Sequence, residues 1–120
     1  MFNYQPFSPE DALPPEQVRF TDVHVEPCPD GRRVRVHITI TPFQQRPNLE
    51  ARILHPEGEE AASISIIETM ENKLVFTMHI RGPIGAEAFT LEARLSFAEL
   101  GTVDQRTLQF HTSEEPAQDA

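Results

Sequence analysis

From Val34 to Thr41 the chain reads Val-Arg-Val-His-Ile-Thr-Ile-Thr, β-branched apolar side chains alternating without a break with polar ones. Successive side chains of an extended strand point to opposite faces, so the segment predicts a strand with one buried and one wetted face. The period recurs along the chain. Phe89, Leu91, Ala93, Leu95 and Phe97 alternate with Thr90, Glu92, Arg94 and Ser96, and Leu74, Phe76, Met78 and Ile80 make another apolar row. Leu49, Ala51 and Ile53 predict a strand that shows Glu50, Arg52 and Leu54; Ala62, Ile64 and Ile66 predict one that shows Ser63, Ser65, Ile67 and Thr69. A last strand is predicted over 105–112, with Leu108 and Phe110 inward.

The first predicted strand, over 18–26, changes phase: Val18 and Phe20 share one parity, Val23 and Val25 the other. One extra residue near Thr21-Asp22, a β-bulge, produces such a shift. Turn chemistry separates the strands: Pro27-Cys28-Pro29-Asp30-Gly31, Thr41 to Pro47, His55 to Glu60, Glu71-Asn72, and Gly82-Pro83-Ile84-Gly85. No segment sustains a helical period. Short strands separated by such turns predict an all-β sandwich. The second, fifth and sixth strands alternate most regularly and are expected at the centres of the sheets.

Three regions follow. Residues 1–16 interleave Pro6, Pro9, Pro14 and Pro15 with Phe2, Tyr4 and Phe7, a proline-rich aromatic arm biased toward extended conformations. Residues 17–113 hold the sandwich. Residues 114–120 are acidic without large apolar side chains, and a disordered tail is expected because nothing there offsets ordering entropy.

The chain of 120 residues suits one domain that stands on packing alone, since a single cysteine, Cys28, allows no intrachain disulfide. A net charge of −9 without a basic stripe opposes phosphate backbones, so no nucleic-acid partner is expected. No apolar run is long enough for a membrane span or a signal peptide, and a cytoplasmic location is the expectation.

Seven strands in about a hundred residues, with aliphatic alternation in the second and sixth, resemble an immunoglobulin-like or fibronectin type III-like domain over residues 17–113. Val36 or Ile38 and Ala93 stand where an immunoglobulin domain pairs cysteines, the chain has no tryptophan, and Phe89 opens the sixth strand where a tyrosine corner would want a hydroxyl. The resemblance implies a seven-stranded antiparallel immunoglobulin-like β-sandwich. It also implies that the second-to-third, fourth-to-fifth and sixth-to-seventh connections gather at one end, beside the start of the first strand. That end would carry Phe43, Arg46, Met70, Leu100 and Val103 next to the arm.

Apolar side chains at such an end are candidates for partner contact or for sealing the core: Phe2, Tyr4, Phe7, Phe43, Arg46 and Leu100. Ile67 and Leu54 are further candidates. The fourth strand carries no charge between Ala61 and Ile67, and an edge without charge invites self-association and a homodimer.

Chemistry finds less support. His24, His37 and His79 would point outward from neighbouring strands, but no spacing converges ligands, and no metal or other cofactor is expected. Glu57-Gly58-Glu59-Glu60 with Asp30 lacks a calcium-loop pattern. Cys28 lies between prolines with no histidine nearer than His24, and no nucleophile elbow or phosphate loop occurs, so no catalytic residue is assigned and no enzyme is expected. The sequence reads as a non-catalytic protein-interaction or scaffold module. The alternative is a ligand-binding accessory domain such as a carbohydrate-binding module, set back by the absence of tryptophan and by a lone tyrosine, Tyr4.

Overall fold

The computed structural model describes residues 11–112. One turn of 3-10 helix, Pro15–Gln17, precedes strands β1 (Phe20–Pro27), β2 (Arg33–Ile40), β3 (Asn48–Leu54), β4 (Glu60–Ile66), β5 (Lys73–His79), β6 (Phe89–Phe97) and β7 (Gly101–Phe110). They form two antiparallel sheets, ordered β1-β2-β5 and β4-β3-β6-β7. The fourth strand joins the sheet of β3, β6 and β7, whereas constant-type immunoglobulin domains place it beside the first, second and fifth. The aromatic arm before Asp11 and the acidic tail from Ser113 lie outside the described residues.

The core is the sum of the inward rows. Val34, Val36, Ile38 and Ile40 of β2 are buried together with Leu49, Ala51 and Ile53 of β3 and all five apolar positions of β6. The predicted bulge is present as a register shift between Phe20 and Asp22 against β2. The shift leaves the Phe20 backbone to be satisfied elsewhere. Its N–H donates to Asp104 Oδ2 at 2.9 Å, and its carbonyl accepts from Arg106 Nη2 at 2.7 Å, so two β7 side chains join the sheets along one margin.

Several expectations are corrected. β5 is an edge strand, and β3, not β5, is central. Alternation reports which face of a strand is buried and is silent about how many neighbours it has. Leu74 and Phe76 of β5, and Ile64 and Ile66 of β4, are consequently only half-buried. β7 begins at Gly101 rather than near residue 105, with a register shift opposite Leu95 and Ser96 that hides its first turn of alternation. Thr69, expected outward, is buried. Glu68 adopts φ +52, its N–H donates to Asn48 Oδ1 at 2.8 Å, and the chain direction change turns Thr69 inward.

The turn between β1 and β2 is built on Asp30, whose carboxylate accepts from the backbone N–H groups of Arg32 and Arg33 and from Arg33 Nε. The Arg32 N–H first, then the Arg33 side chain, hold the Asp30 carboxyl far below the usual carboxylate range. At the same end, His55 is buried against Phe89, with ring centroids 5.3 Å apart. Its Nε2 lies 2.8 Å from the Arg81 carbonyl, which can only accept, so Nε2 carries the proton. Gly82 has φ +87, and a Cβ there would sit 3.0 Å from His55 Nε2. Gly82→Val is expected to lower unfolding free energy by about 1–3 kcal/mol through left-handed strain and displacement of the imidazole. Urea melts check this, and a change below about 0.5 kcal/mol would show that the loop shifts freely.

Candidate functional site

Alternation that buries one row of the four-stranded sheet sends the other row to its outer face. The cross-strand register sets these side chains in two ranks. Ser63 of β4, Arg52 of β3, Glu92 of β6 and Thr107 of β7 face one another in the first; Ser65, Glu50, Arg94 and Gln105 do so in the second. Charge therefore alternates across strands as well as along them. Arg52 Nε donates to Glu92 Oε1 at 2.9 Å and Arg94 Nη1 donates to Glu50 Oε1 at 3.2 Å. Glu60 adds longer contacts, 3.8 Å to Arg52 Nη1 and 4.0 Å to Arg81 Nη2.

The ranks enclose a depression of about 260 Å³ lined also by Ala51 and Ala93 and by Ser63 and Ser65. The hydrogen bond to Glu92, followed by its charge, raises the Arg52 pKa above its ordinary value. Exposed pairs of this kind contribute only about 0–1 kcal/mol each, so a ligand can replace one at small cost. Guanidinium forks and carboxylates in fixed alternation present donors and acceptors side by side, the pattern that neighbouring hydroxyl groups complement. No histidine stands among the lining residues to activate either serine.

A second constellation lies on the outer face of the other sheet. His24 and His37 are cross-strand partners with stacked rings, centroids 4.4 Å apart and planes 9° from parallel. His24 Nδ1 is 2.7 Å from Asp22 Oδ2 and His37 Nε2 is 3.0 Å from Glu26 Oε1. His79 stays apart, opposite Arg33, whereas His37 faces Val75. Among the described residues no group of three histidine, cysteine or acidic side chains is disposed to hold a metal ion.

The sequence candidates separate. Phe43 is buried rather than exposed, with 6 % of its surface accessible. Leu13 forms a parallel bridge with it: Leu13 N–H donates to the Pro42 carbonyl at 3.0 Å and Gln44 N–H to the Leu13 carbonyl at 2.9 Å, turning the ring into the core. Leu54 does not lie beside Ile67. It is half-buried opposite Glu60, whereas Ile67 follows the other end of β4, where Ile66 faces Leu49. Ile67, Leu100 and Arg46 are exposed at the loop end, with Met70. Phe2, Tyr4 and Phe7 lie outside the described residues. Cys28 is buried. Alternation alone places Glu50, Arg52, Ser63, Ser65, Glu92 and Arg94 outward; what sequence lacks is the register that ranks them together.

No family model matches the sequence, and no curated protein matches it. Solved structures do resemble the fold. A glycosyl hydrolase family 2 member from Bacteroides cellulosilyticus superposes with a TM-score of 0.57 at 12% identity, over 79% of this chain and 15% of that one. A β-glucuronidase from Parabacteroides merdae gives 0.64 at 11% identity over 79% and 14%. One from Bifidobacterium dentium gives 0.59 at 16% over 78% and 17%. The chain thus spans about one sixth of each of these enzymes, and at such identities the likeness is one of fold.

Proposed function

We propose that this chain is a non-catalytic accessory sandwich of a carbohydrate-active system, and that it holds a neutral, hydroxyl-rich ligand on the outer face of the four-stranded sheet. The observation that carries the reading is the ranked arrangement of Arg52, Glu92, Glu50 and Arg94 around one depression that Ser63 and Ser65 also line. The occurrence of the same fold as a small part of glycosyl hydrolases supports the carbohydrate side of it. Three carboxylates, Glu50, Glu60 and Glu92, outnumber the guanidiniums of Arg52 and Arg94 in the lining, which favours uncharged sugars over acidic ones. No aromatic ring lines the depression, so binding rests on hydrogen bonds without a stacking platform and is weak.

Titration of neutral oligosaccharides into the labelled chain is expected to move the backbone resonances of β3, β4 and β6 outer positions, with affinity in the millimolar range. Arg52→Ala with Arg94→Ala should abolish those shifts while leaving the melting temperature nearly unchanged, because both side chains are exposed. A glycan panel that leaves these resonances still, at saturating sugar, would sink the reading.

Protein contact is the second reading, favoured by exposed Ile67, Met70 and Leu100 at the loop end. Loss of a captured partner on Met70→Ser and Leu100→Ser, with no sugar-induced shifts in the parent chain, would select it.

A further inference from the structure

A second cavity lies between the β3–β4 and β5–β6 connections. It holds about 390 Å³, and His55, Glu57, Glu59, Glu87, Pro56 and Pro83 are among its lining residues, with no lysine or arginine. That volume lies within the range of small-molecule sites, about 300–1,000 Å³. Glu26, Glu50 and Glu92 on the sheet faces each have a basic partner. Among the described residues the carboxylates of Glu57, Glu59 and Glu87 have none. His55 adds a signal of another kind. It is 9% exposed, and its one ring proton, on Nε2, goes to the Arg81 carbonyl, which leaves Nδ1 as an acceptor. No described residue donates to Nδ1, although buried acceptors are as a rule paired. The ring edge with Nε2 and Cε1 abuts Arg81 and Gly82, and Phe89 packs against the ring; none of these three lines the cavity.

We infer that His55 turns Nδ1 to this cavity and that the site takes a primary alkylammonium group. An ammonium carries a charge and three N–H donors, which answer one imidazole acceptor and the unpaired carboxylates. A metal ion fits less well, because it needs its ligands within about 2.0–2.6 Å of one point. Among the described residues no three histidine, cysteine or acidic side chains are so disposed. An ammonium reaches its acceptors at about 2.7–3.0 Å along three divergent N–H bonds, so it tolerates acceptors set further apart. Its methylene stem has Pro56 and Pro83 to lie against. A lysine side chain of a partner and a free diamine both present this group.

The test is an NMR titration of the full nitrogen-labelled chain with putrescine and with N-acetyl-lysine methylamide, at constant ionic strength. It is run at about pH 8, where an imidazole is neutral and an alkylammonium charged. Backbone resonances of residues 55–59 and 85–87 are expected to move, and the His55 Nδ1 resonance with them. The amine with the lower Kd identifies the source of the group. Glu59→Gln with Glu87→Gln should raise that Kd at least about fivefold, as the loss of two exposed charge pairs allows. Both side chains are exposed, so the double variant should melt with the parent. Tetramethylammonium, which has the charge without an N–H, should leave Nδ1 still. Loop resonances that stay fixed with both amines would overturn the inference. So would an Nδ1 resonance that stays fixed while the loops respond, or a double variant that binds as tightly as the parent. None of these results bears on sugar binding at the sheet face, since the two depressions share no lining residue.

Discussion

Truncating Phe89 to alanine is expected to cost about 3–5 kcal/mol of unfolding free energy, the range for removing a fully buried aromatic side chain. Phe89 opens the central strand β6 and is 1% exposed, with its ring stacked on Phe110 at 6.0 Å and tilted against His55 at 5.3 Å. It ties together both neighbours of its end: β7 through Phe110, with which it is in register, and the loop after β3 through His55. The cavity left by alanine has little means of collapse, because its walls are strands fixed by their ladders. Domains of this size hold only about 5–15 kcal/mol, so the variant should unfold at markedly lower urea and more than about 10 °C lower in temperature. Phe89→Leu, which keeps most of the volume, should lose much less. Equilibrium unfolding in urea measures both; a loss below about 1 kcal/mol for alanine would mean this end of the core is loosely packed.

The features that could be read from the chain are those set by local alternation. The buried rows of β2, β3 and β6 follow from a two-residue period, and the β1 bulge follows from its interruption at Thr21-Asp22. What depends on neighbours could not be read. β5 alternates as cleanly as β2 because one face of each meets the core, yet β5 has one partner and β2 has two. Phe43 sits among polar loop residues, and its bridge to Leu13, thirty residues earlier in the chain, is a contact that local alternation does not report. The polar depression is the clearest case. Arg52 and Glu92 are forty residues apart and become partners solely through the β3–β6 register, so neither spacing nor composition could place them together.

The fold itself leaves function open, because one sandwich serves unrelated ends. What distinguishes this chain is the distribution of polarity over it: a charged checkerboard on the outer face of one sheet, and along the β1/β7 margin two side chains that hold the Phe20 backbone. The first is a surface on which binding is proposed. The second is a structural device, and its strength can be measured.

Asp104→Ala is expected to lower unfolding free energy by about 1–3 kcal/mol, the cost of leaving a part-buried donor without its acceptor. The donor is the Phe20 N–H, released from the β1–β2 ladder by the register shift and held by Asp104 Oδ2 at 2.9 Å. Phe20 is among the largest fully buried side chains, so its backbone cannot swing out to water without withdrawing the ring from the core. Arg106→Ala removes the donor to the Phe20 carbonyl, at 2.7 Å, and should cost less, because an under-satisfied carbonyl is better tolerated than an orphaned N–H. Both side chains act on one residue, so their effects should not add. The double variant is expected to differ from the sum of the singles by at least about 0.5 kcal/mol, once either loss has loosened the start of β1. Asp104→Asn tests the chemistry further. Asp104 Oδ1 also accepts from the Gln105 N–H at 2.8 Å, so the carboxylate serves two donors where an amide offers one oxygen and must turn its NH₂ toward the other. Asparagine should therefore fall between parent and alanine. Urea titrations of the four variants and the parent supply every comparison; an Asp104→Ala variant within about 0.5 kcal/mol of the parent would show that the margin is held by packing alone.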